Sequence, residues 1–262
     1  MKVAYFPGCT LKTKAKDLDK YARKCAEVLD ISLEEIDNWQ CCGGVFTTSV
    51  KEIATKLSSV RALKSAEDKN QILVSVCSAC HNVLKQTNHM FNTDDSFKDS
   101  VNNYMAGEEY SGSTKVLHYL ELLRDVVGFD KIKEKAVNPL KDKKIAAYYG
   151  CLLLRPNKVM GFDDPENPTI IEDFIKALGA TPVVYPYRNE CCGGYVSVEN
   201  EELASKKSMK VTDSAKLNGA DVIVTACPLC KYNLEKNGTD IPVVYLTELL
   251  AEALGVKEGD NE

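Results

Sequence analysis

The stretch Ile72-Leu73-Val74-Ser75-Val76-Cys77-Ser78-Ala79-Cys80 is an apolar run of strand length that ends in a CxxC. A second copy, Val222-Ile223-Val224-Thr225-Ala226-Cys227-Pro228-Leu229-Cys230, stands 150 positions further on. Runs this short and apolar read as buried strands, and the segment from Ser78 to Met90 reads as a helix. Pro228 falls at or near the first position of the corresponding second helix. Each CxxC is therefore expected at a strand end and a helix start, the edge where ligands collect in open α/β folds. Free N–H groups at a helix start also favour thiolate over thiol.

Outward from these runs the repeat continues. Cys9, Cys41, Cys42, Cys77 and Cys80 spell C-x31-CCG-x33-CxxC, and Cys151, Cys191, Cys192, Cys227 and Cys230 spell C-x39-CCG-x33-CxxC. Ten of the eleven cysteines thus fall into two copies of one pattern. Each half opens with a strand running into Gly-Cys (3–9 and 145–151) and carries Cys-Cys-Gly-Gly (41–44 and 191–194). Each closes with a strand and a Leu-rich helix (116–123 and 243–250). Between these marks, residues 15–29 place Leu18, Tyr21, Ala22, Cys25, Val28 and Leu29 on one helical stripe. Residues 49–66 do the same with Ile53, Leu57, Val60 and Leu63, and Pro168 starts a helix that runs to about Leu178 and stops at Gly179. Strands alternating with helices predict an α/β fold of two pseudo-twofold-related halves with mainly parallel strands, each carrying one CCG motif. The expected halves are residues 1–127 and 144–262, joined by a linker at 128–143.

An apolar content of 44% and a charged content of 27% over 262 residues are those of an ordinary globular protein. A net charge of −5 with no basic block argues against nucleic acid as a partner. No apolar run reaches the roughly 18 residues of a membrane span. The opening Met-Lys-Val-Ala-Tyr-Phe reads as a strand rather than a signal peptide, so a cytoplasmic location is expected. An odd number of cysteines in such a chain points to metal or redox chemistry rather than a disulfide framework.

Zinc takes four ligands where each half offers five, and adjacent cysteines sit awkwardly on one small ion unless only one of the two binds. A CxxC thiol–disulfide oxidoreductase explains the motif after a strand but leaves the Cys-Cys-Gly pairs without a task. Iron–sulfur clusters spread several thiolates over several irons, so adjacent cysteines can both serve.

Over its whole length the doubled motif resembles the cysteine-rich CCG domain of the heterodisulfide reductase B-type family. The resemblance implies two non-cubane 4Fe–4S clusters, one on Cys9, Cys41, Cys42, Cys77 and Cys80, the other on Cys151, Cys191, Cys192, Cys227 and Cys230. It implies a disulfide reductase, in which a disulfide bound between the clusters is cleaved by successive one-electron transfers within a larger flavin-based complex. The plain Cys41-Cys42-Gly43-Gly44, without the Pro-containing insertion of the archaeal methanogen enzymes, is similar to the bacterial branch. Coenzyme M–coenzyme B heterodisulfide is then one substrate candidate among disulfides. The chain has no ferredoxin-type cysteine run and no G-x-G-x-x-G, so no flavin or nucleotide is expected in it. The implied partners are the A-type flavin/iron–sulfur protein and the C-type ferredoxin-like protein of such complexes. The alternative within the same resemblance is a non-catalytic electron-relay and docking component of another oxidoreductase.

His81 and Lys231 follow their CxxC at equivalent positions. They read either as groups that tune a cluster or stabilise a departing thiolate, or as a solvated helix face. Arg155 and Arg188, near Cys151 and Cys191, are candidate anchors for an anionic substrate group, or surface charges. Tyr148, Tyr149, Tyr185, Tyr187 and Tyr195 crowd the second motif where the first has Tyr5, Phe6 and Phe46, as dry walls or as core. Gly43, Gly44, Gly193 and Gly194 are expected to let the backbone approach sulfide closely. Trp39 reads as core and Cys25 as a small buried hydrophobe.

Overall fold

In the computed structural model, which describes residues 1–50 and 52–257, the two apolar runs are interior strands of two separate parallel sheets. The first half runs β1 (Lys2–Tyr5), α1 (Gly8–Thr13), α2 (Lys16–Val28), β2 (Ser32–Glu35), α3 (Val45–Ser49) and α4 (Leu57–Asp68). It continues with β3 (Leu73–Ser75), α5 (Ser78–Thr93), α6 (Asp95–Tyr104), β4 (Val116–His118), α7 (Tyr119–Leu122) and α8 (Phe129–Lys135). The second half runs β5 (Lys144–Tyr148), α9 (Asn157–Met160), α10 (Ile170–Ala177), β6 (Thr181–Val183) and α11 (Glu201–Leu217). It ends with β7 (Val222–Thr225), α12 (Pro228–Asn237), β8 (Val243–Tyr245) and α13 (Leu246–Leu254).

The sheets are ordered β2-β1-β3-β4 and β6-β5-β7-β8, so the duplication read from the cysteines is a duplication of topology. Every pairing is parallel, with Tyr5 opposite Val74 in one sheet and Ala146 opposite Ile223 in the other. Parallel strands need cover on both faces, and Val3, Ala4 and Tyr5 are accordingly all buried. The larger of two buried clusters spans both halves, and the smaller lies within the second. Leu246, Leu249, Leu250 and Leu254 of α13 belong to the same buried cluster as Leu18, Ala22 and Cys25 of α2.

Three expectations change in detail. The helix expected over 49–66, whose Lys51 lies outside the described residues, is broken. Val50 and Glu52 are extended, Ile53–Thr55 is a 3-10 turn, and α4 begins only at Leu57. The cause is Lys56, whose buried ammonium donates to the carbonyls of Thr47 and Val50 at 2.7 and 2.6 Å and so ties off the end of α3. The second-half helix begins at Ile170, after Thr169, rather than at Pro168. The connection 128–143 carries α8, which seats Ile132 fully buried, and Leu140 is buried as well.

Candidate metal centres

Each half gathers its five thiols into a string. In the first, Cys9 and Cys41 sulfurs lie 3.4 Å apart, as do those of Cys42 and Cys80. Cys41 and Cys42 are neighbours in the chain and Cys77 and Cys80 share one CxxC, which links the five. In the second, Cys192 and Cys230 are 3.5 Å apart, and Cys151, Cys191 and Cys227 line the same narrow cleft with them. A disulfide would bring sulfurs to about 2.05 Å, and all eleven cysteines are free. Among the described residues no three Cys, His, Asp or Glu side chains converge as a single bound ion needs.

Local structure explains how the strings form. Cys77 and Cys227 stand in extended conformation immediately before α5 and α12, so both CxxC motifs occupy helix starts. Gly8 and Gly150 hold positive φ, and a side chain on them would meet the sulfur of Cys80 at 2.7 Å and of Cys230 at 3.4 Å. Glycine there lets the strand end bearing Cys9 or Cys151 press onto the second thiol of the CxxC. The carbonyl of Cys192 accepts from Ser208 Oγ (3.0 Å) and Asn233 Nδ2 (2.7 Å), and that of Cys42 from Thr47 Oγ1 (2.8 Å). These bonds fix the adjacent pairs from behind.

The surroundings lower one thiol of a neighbouring pair and raise the other, Cys80 and Cys230 lying well above the ordinary value beside Cys42 and Cys192. The Cys80 thiol, helped by the Gly44 N–H, lowers Cys42 to about 7. The Cys230 thiol lowers Cys227, with the N–H groups of Cys230 and Leu229 at the start of α12 adding to it. Gly193 and Gly194 N–H groups lie 3.4 Å from the sulfurs of Cys191 and Cys192. Five thiols in a string, ringed by N–H donors and glycine, fit a multi-iron sulfide group, whose ligands are spread over several metals.

The other expected site residues fall into distinct places. His81 is wholly buried rather than solvated. Its ring packs edge-on to His118 and Phe162, its Nε2 lies 3.3 Å from Glu121, and burial drives its pKa well down. Lys231, its counterpart, sits 2.6 Å from Glu235 and 3.5 Å from Glu248 and donates to the Val243 carbonyl. Both side chains therefore face carboxylates rather than the thiols. Arg155 binds the Asn189 carbonyl and Glu166 at the surface. Arg188 is buried, and its guanidinium is spent on Asn167, the Pro168 carbonyl and Glu172, which in turn accepts from the Tyr149 hydroxyl. Tyr148 and Tyr185 are buried, whereas Tyr187 and Tyr195 are exposed. Trp39 packs edge-on against Phe6 at 5.5 Å, and Cys25 is buried under α13.

Three residues matter that the repeat did not mark. Ser78 donates through both N–H and hydroxyl to the Ala226 carbonyl, and Tyr245 places its hydroxyl between the carbonyls of Val76 and Ala226. Asn82 donates to the carbonyls of Leu152 and Arg155, pinning the Cys151 loop against the first half. The signal in the sequence for Ser78 and Tyr245 was that the two copies differ there. Tyr195, which the sequence offered as a wall or as core, reaches from the second Cys-Cys-Gly-Gly loop onto the first.

The sequence pattern of the CCG family, described as a cysteine-rich domain, matches residues 3–85 and 145–235, one span in each half. The membrane anchor of the 8-methylmenaquinol:fumarate reductase of Wolinella succinogenes is 35% identical over 97% of this chain and 92% of its own length. The B component of the ferredoxin:CoB-CoM heterodisulfide reductase of Methanosarcina mazei is 31% identical over 97% of this chain and 89% of its own. A crystal structure of a hypothetical protein from Helicobacter pylori superposes with a TM-score of 0.75 at 13% identity, a likeness of fold. It covers 98% of this chain, which spans about half (49%) of that one. No helix among the described residues is long and apolar enough to cross a membrane.

Proposed function

Since the chain belongs to the CCG cysteine-rich domain family, whose heterodisulfide reductase relatives support an iron–sulfur electron-transfer role, we propose that it is the disulfide-reducing component of a larger flavin-based complex. The observation that carries this reading is a five-thiol string in each half, with the residues just before the two CxxC motifs fastened to each other through Ser78 and Tyr245. A narrow cleft beside the second string is lined by Ser78 of the first half together with Tyr149, Leu152, Tyr195 and Leu229 of the second. Cys9, Cys41, Cys42, Cys77 and Cys80 would hold one non-cubane 4Fe–4S cluster, and Cys151, Cys191, Cys192, Cys227 and Cys230 the other. When bound, these clusters would supply the single electrons that cleave a disulfide lying between them. The chain's own share is to hold both strings in register, keep water out with Tyr149, Leu152 and Leu229, and aim N–H groups at the sulfurs. Electrons would arrive in the cytoplasm from an A-type flavin/iron–sulfur partner and a C-type ferredoxin-like partner.

A second reading is favoured by the fumarate reductase relative: an electron relay and docking component that binds no disulfide. Anaerobic metal analysis with paramagnetic resonance, before and after addition of a thiol, tests the proposal. It expects about eight irons and eight acid-labile sulfides per chain and a new paramagnetic signal on thiol addition to the oxidised protein. Full iron with no response to any thiol supports the relay. An anaerobically prepared, folded sample without iron overturns both.

A further inference from the structure

Residue 195 is where the two Cys-Cys-Gly-Gly loops diverge: Tyr195 follows the second, and its counterpart 150 positions earlier is Val45. Tyr195 crosses to the first loop, where its hydroxyl comes to rest against Gly44, the residue before its own counterpart Val45. It lies over Gly44, whose φ is +58 and on which a Cβ would stand 3.2 Å from the phenol oxygen. Gly44 thus serves two ends, a backbone conformation that other residues rarely adopt and room for the ring.

The ring bridges the first Cys-Cys-Gly-Gly loop and the second sulfur string. Tyr195 lines the cleft that reaches Cys151, Cys191, Cys192, Cys227 and Cys230. Besides burial, the groups that push its pKa up are Cys227 of the second string and then Cys77 and Cys42 of the first. It is also 45% exposed, whereas Tyr149 and Ser78 are buried and Leu152 and Leu229 are half-buried. Of the cleft walls outside the thiols and glycine, it is therefore the one that presents a large face to solvent. A molecule that passes from solvent to the space between the strings meets this ring.

We propose that Tyr195 is the specificity-determining residue of the inter-string space, admitting thiols and disulfides with slender unbranched chains and excluding bulky ones. The inference rests on the disulfide reading above and deepens it. The phenol's width sets the gap, and Gly44 beneath it gives it room. Walls of Tyr149, Leu152 and Leu229 make the passage apolar, which suits an alkyl chain next to sulfur rather than a charged or branched group.

The test compares 2-mercaptoethanol with glutathione as probes on the anaerobically prepared, oxidised protein, reading binding by paramagnetic resonance. Wild type is expected to favour the small thiol. In Tyr195→Val, the residue that the sister loop already carries, glutathione affinity should rise about tenfold relative to 2-mercaptoethanol, with iron content unchanged. Tyr195→Trp, with a wider ring, should move the ratio the opposite way, which keeps the test decisive if the valine variant loads iron poorly. Tyr195→Phe keeps the width, so it should retain the ratio. Fully iron-loaded Val and Trp variants with the wild-type ratio would overturn the inference alone. No thiol response in any form, wild type included, would instead remove the disulfide reading and this inference with it.

Discussion

The Ser78 hydroxyl donates to the Ala226 carbonyl at 2.6 Å, joining the interior of the first CxxC to the residue before the second. The reciprocal bond cannot form, because the counterpart of Ser78 is Pro228, which has neither N–H nor hydroxyl. Tyr245 closes the clasp instead, its hydroxyl lying 2.7 Å from the Val76 carbonyl and 2.9 Å from that of Ala226. His118, which occupies the place of Tyr245 in the first half, adds its Nε2 at 2.9 Å from Val76 O. Two strands that each deliver a CxxC are thus fastened to each other at their cysteine ends.

Removing the hub of this clasp should weaken the union of the halves without touching a ligand. Tyr245→Phe is expected to cost about 1–2 kcal/mol, lowering the thermal midpoint by about 2–8 °C, because Ser78 and His118 still serve the two carbonyls. Differential scanning calorimetry reads it, and iron content should match wild type. A variant of unchanged midpoint would mean the hydroxyl contributes nothing to the joint between the halves.

Arg188 separates structural from substrate-binding roles. Its side chain is buried against Glu172, whose pKa is raised by burial and whose carboxyl is bonded to the Tyr149 hydroxyl. Arg188→Leu should destabilise the fold by about 3 kcal/mol, since it strands a buried carboxylate, and Glu172→Gln added to it should recover part of the loss. Chemical denaturation measures both. If the single variant instead keeps its stability and loses thiol affinity, Arg188 anchors substrate after all.

The frame of the fold was legible because a strand running into CxxC has one economical reading, and its recurrence at 150 positions doubles the reading. Both sheets, their parallel sense and the helix starts at Ser78 and Pro228 follow from it. The contacts between the halves were not legible, because they depend on positions where the copies differ: Ser78 against Pro228, His118 against Tyr245, Val45 against Tyr195. A repeat draws the eye to what is shared, whereas a joint between two similar units is made by what is not. Burial was equally hidden for charged residues. Arg188 reads in the sequence as a substrate anchor or a surface charge, yet it is spent on Glu172, and Lys56 is spent on the carbonyls of Thr47 and Val50. The Lys56 bonds are also what splits the apolar stripe of 49–66, which periodicity alone reads as one helix.

His118 gives the fold a pH dependence of known sign. Its Nε2 faces the Val76 carbonyl and its Nδ1 accepts the Leu120 N–H, an arrangement only the neutral ring can make. Burial lowers its pKa to about 4. Unfolded, the ring takes a proton near pH 6.5, so the unfolded state binds protons first as pH falls. Its share of stability is complete above about pH 6.5 and declines by about 3 kcal/mol on the way to about pH 4. His118→Gln should therefore flatten the fall of stability between about pH 6.5 and 4.5 relative to wild type, read as the difference between their denaturation midpoints at each pH. Parallel curves would show that the ring is not held neutral.

Cys192 and Cys25 are both buried thiols, and the repeat assigns them opposite roles. Cys192 has a counterpart at Cys42 in register, its carbonyl is pinned by Ser208 and Asn233, and its sulfur lies 3.5 Å from that of Cys230. Cys25 has no counterpart cysteine. Its sulfur lies 4.0 Å from the Thr247 carbonyl between α2 and α13, and burial alone raises its pKa to about 12, so it stays a thiol. Cys192→Ser should lose or convert the second cluster, bringing iron toward about four per chain, because a hydroxyl is a poor substitute for thiolate on iron. Cys25→Ala should keep all its iron and cost about 1 kcal/mol, from a small cavity where α13 crosses α2. Iron and sulfide analysis beside thermal unfolding separates the two. Iron lost on replacing Cys25 would break the ligand set drawn from the repeat, and two intact clusters after Cys192→Ser would break the five-thiol assignment at its adjacent pair.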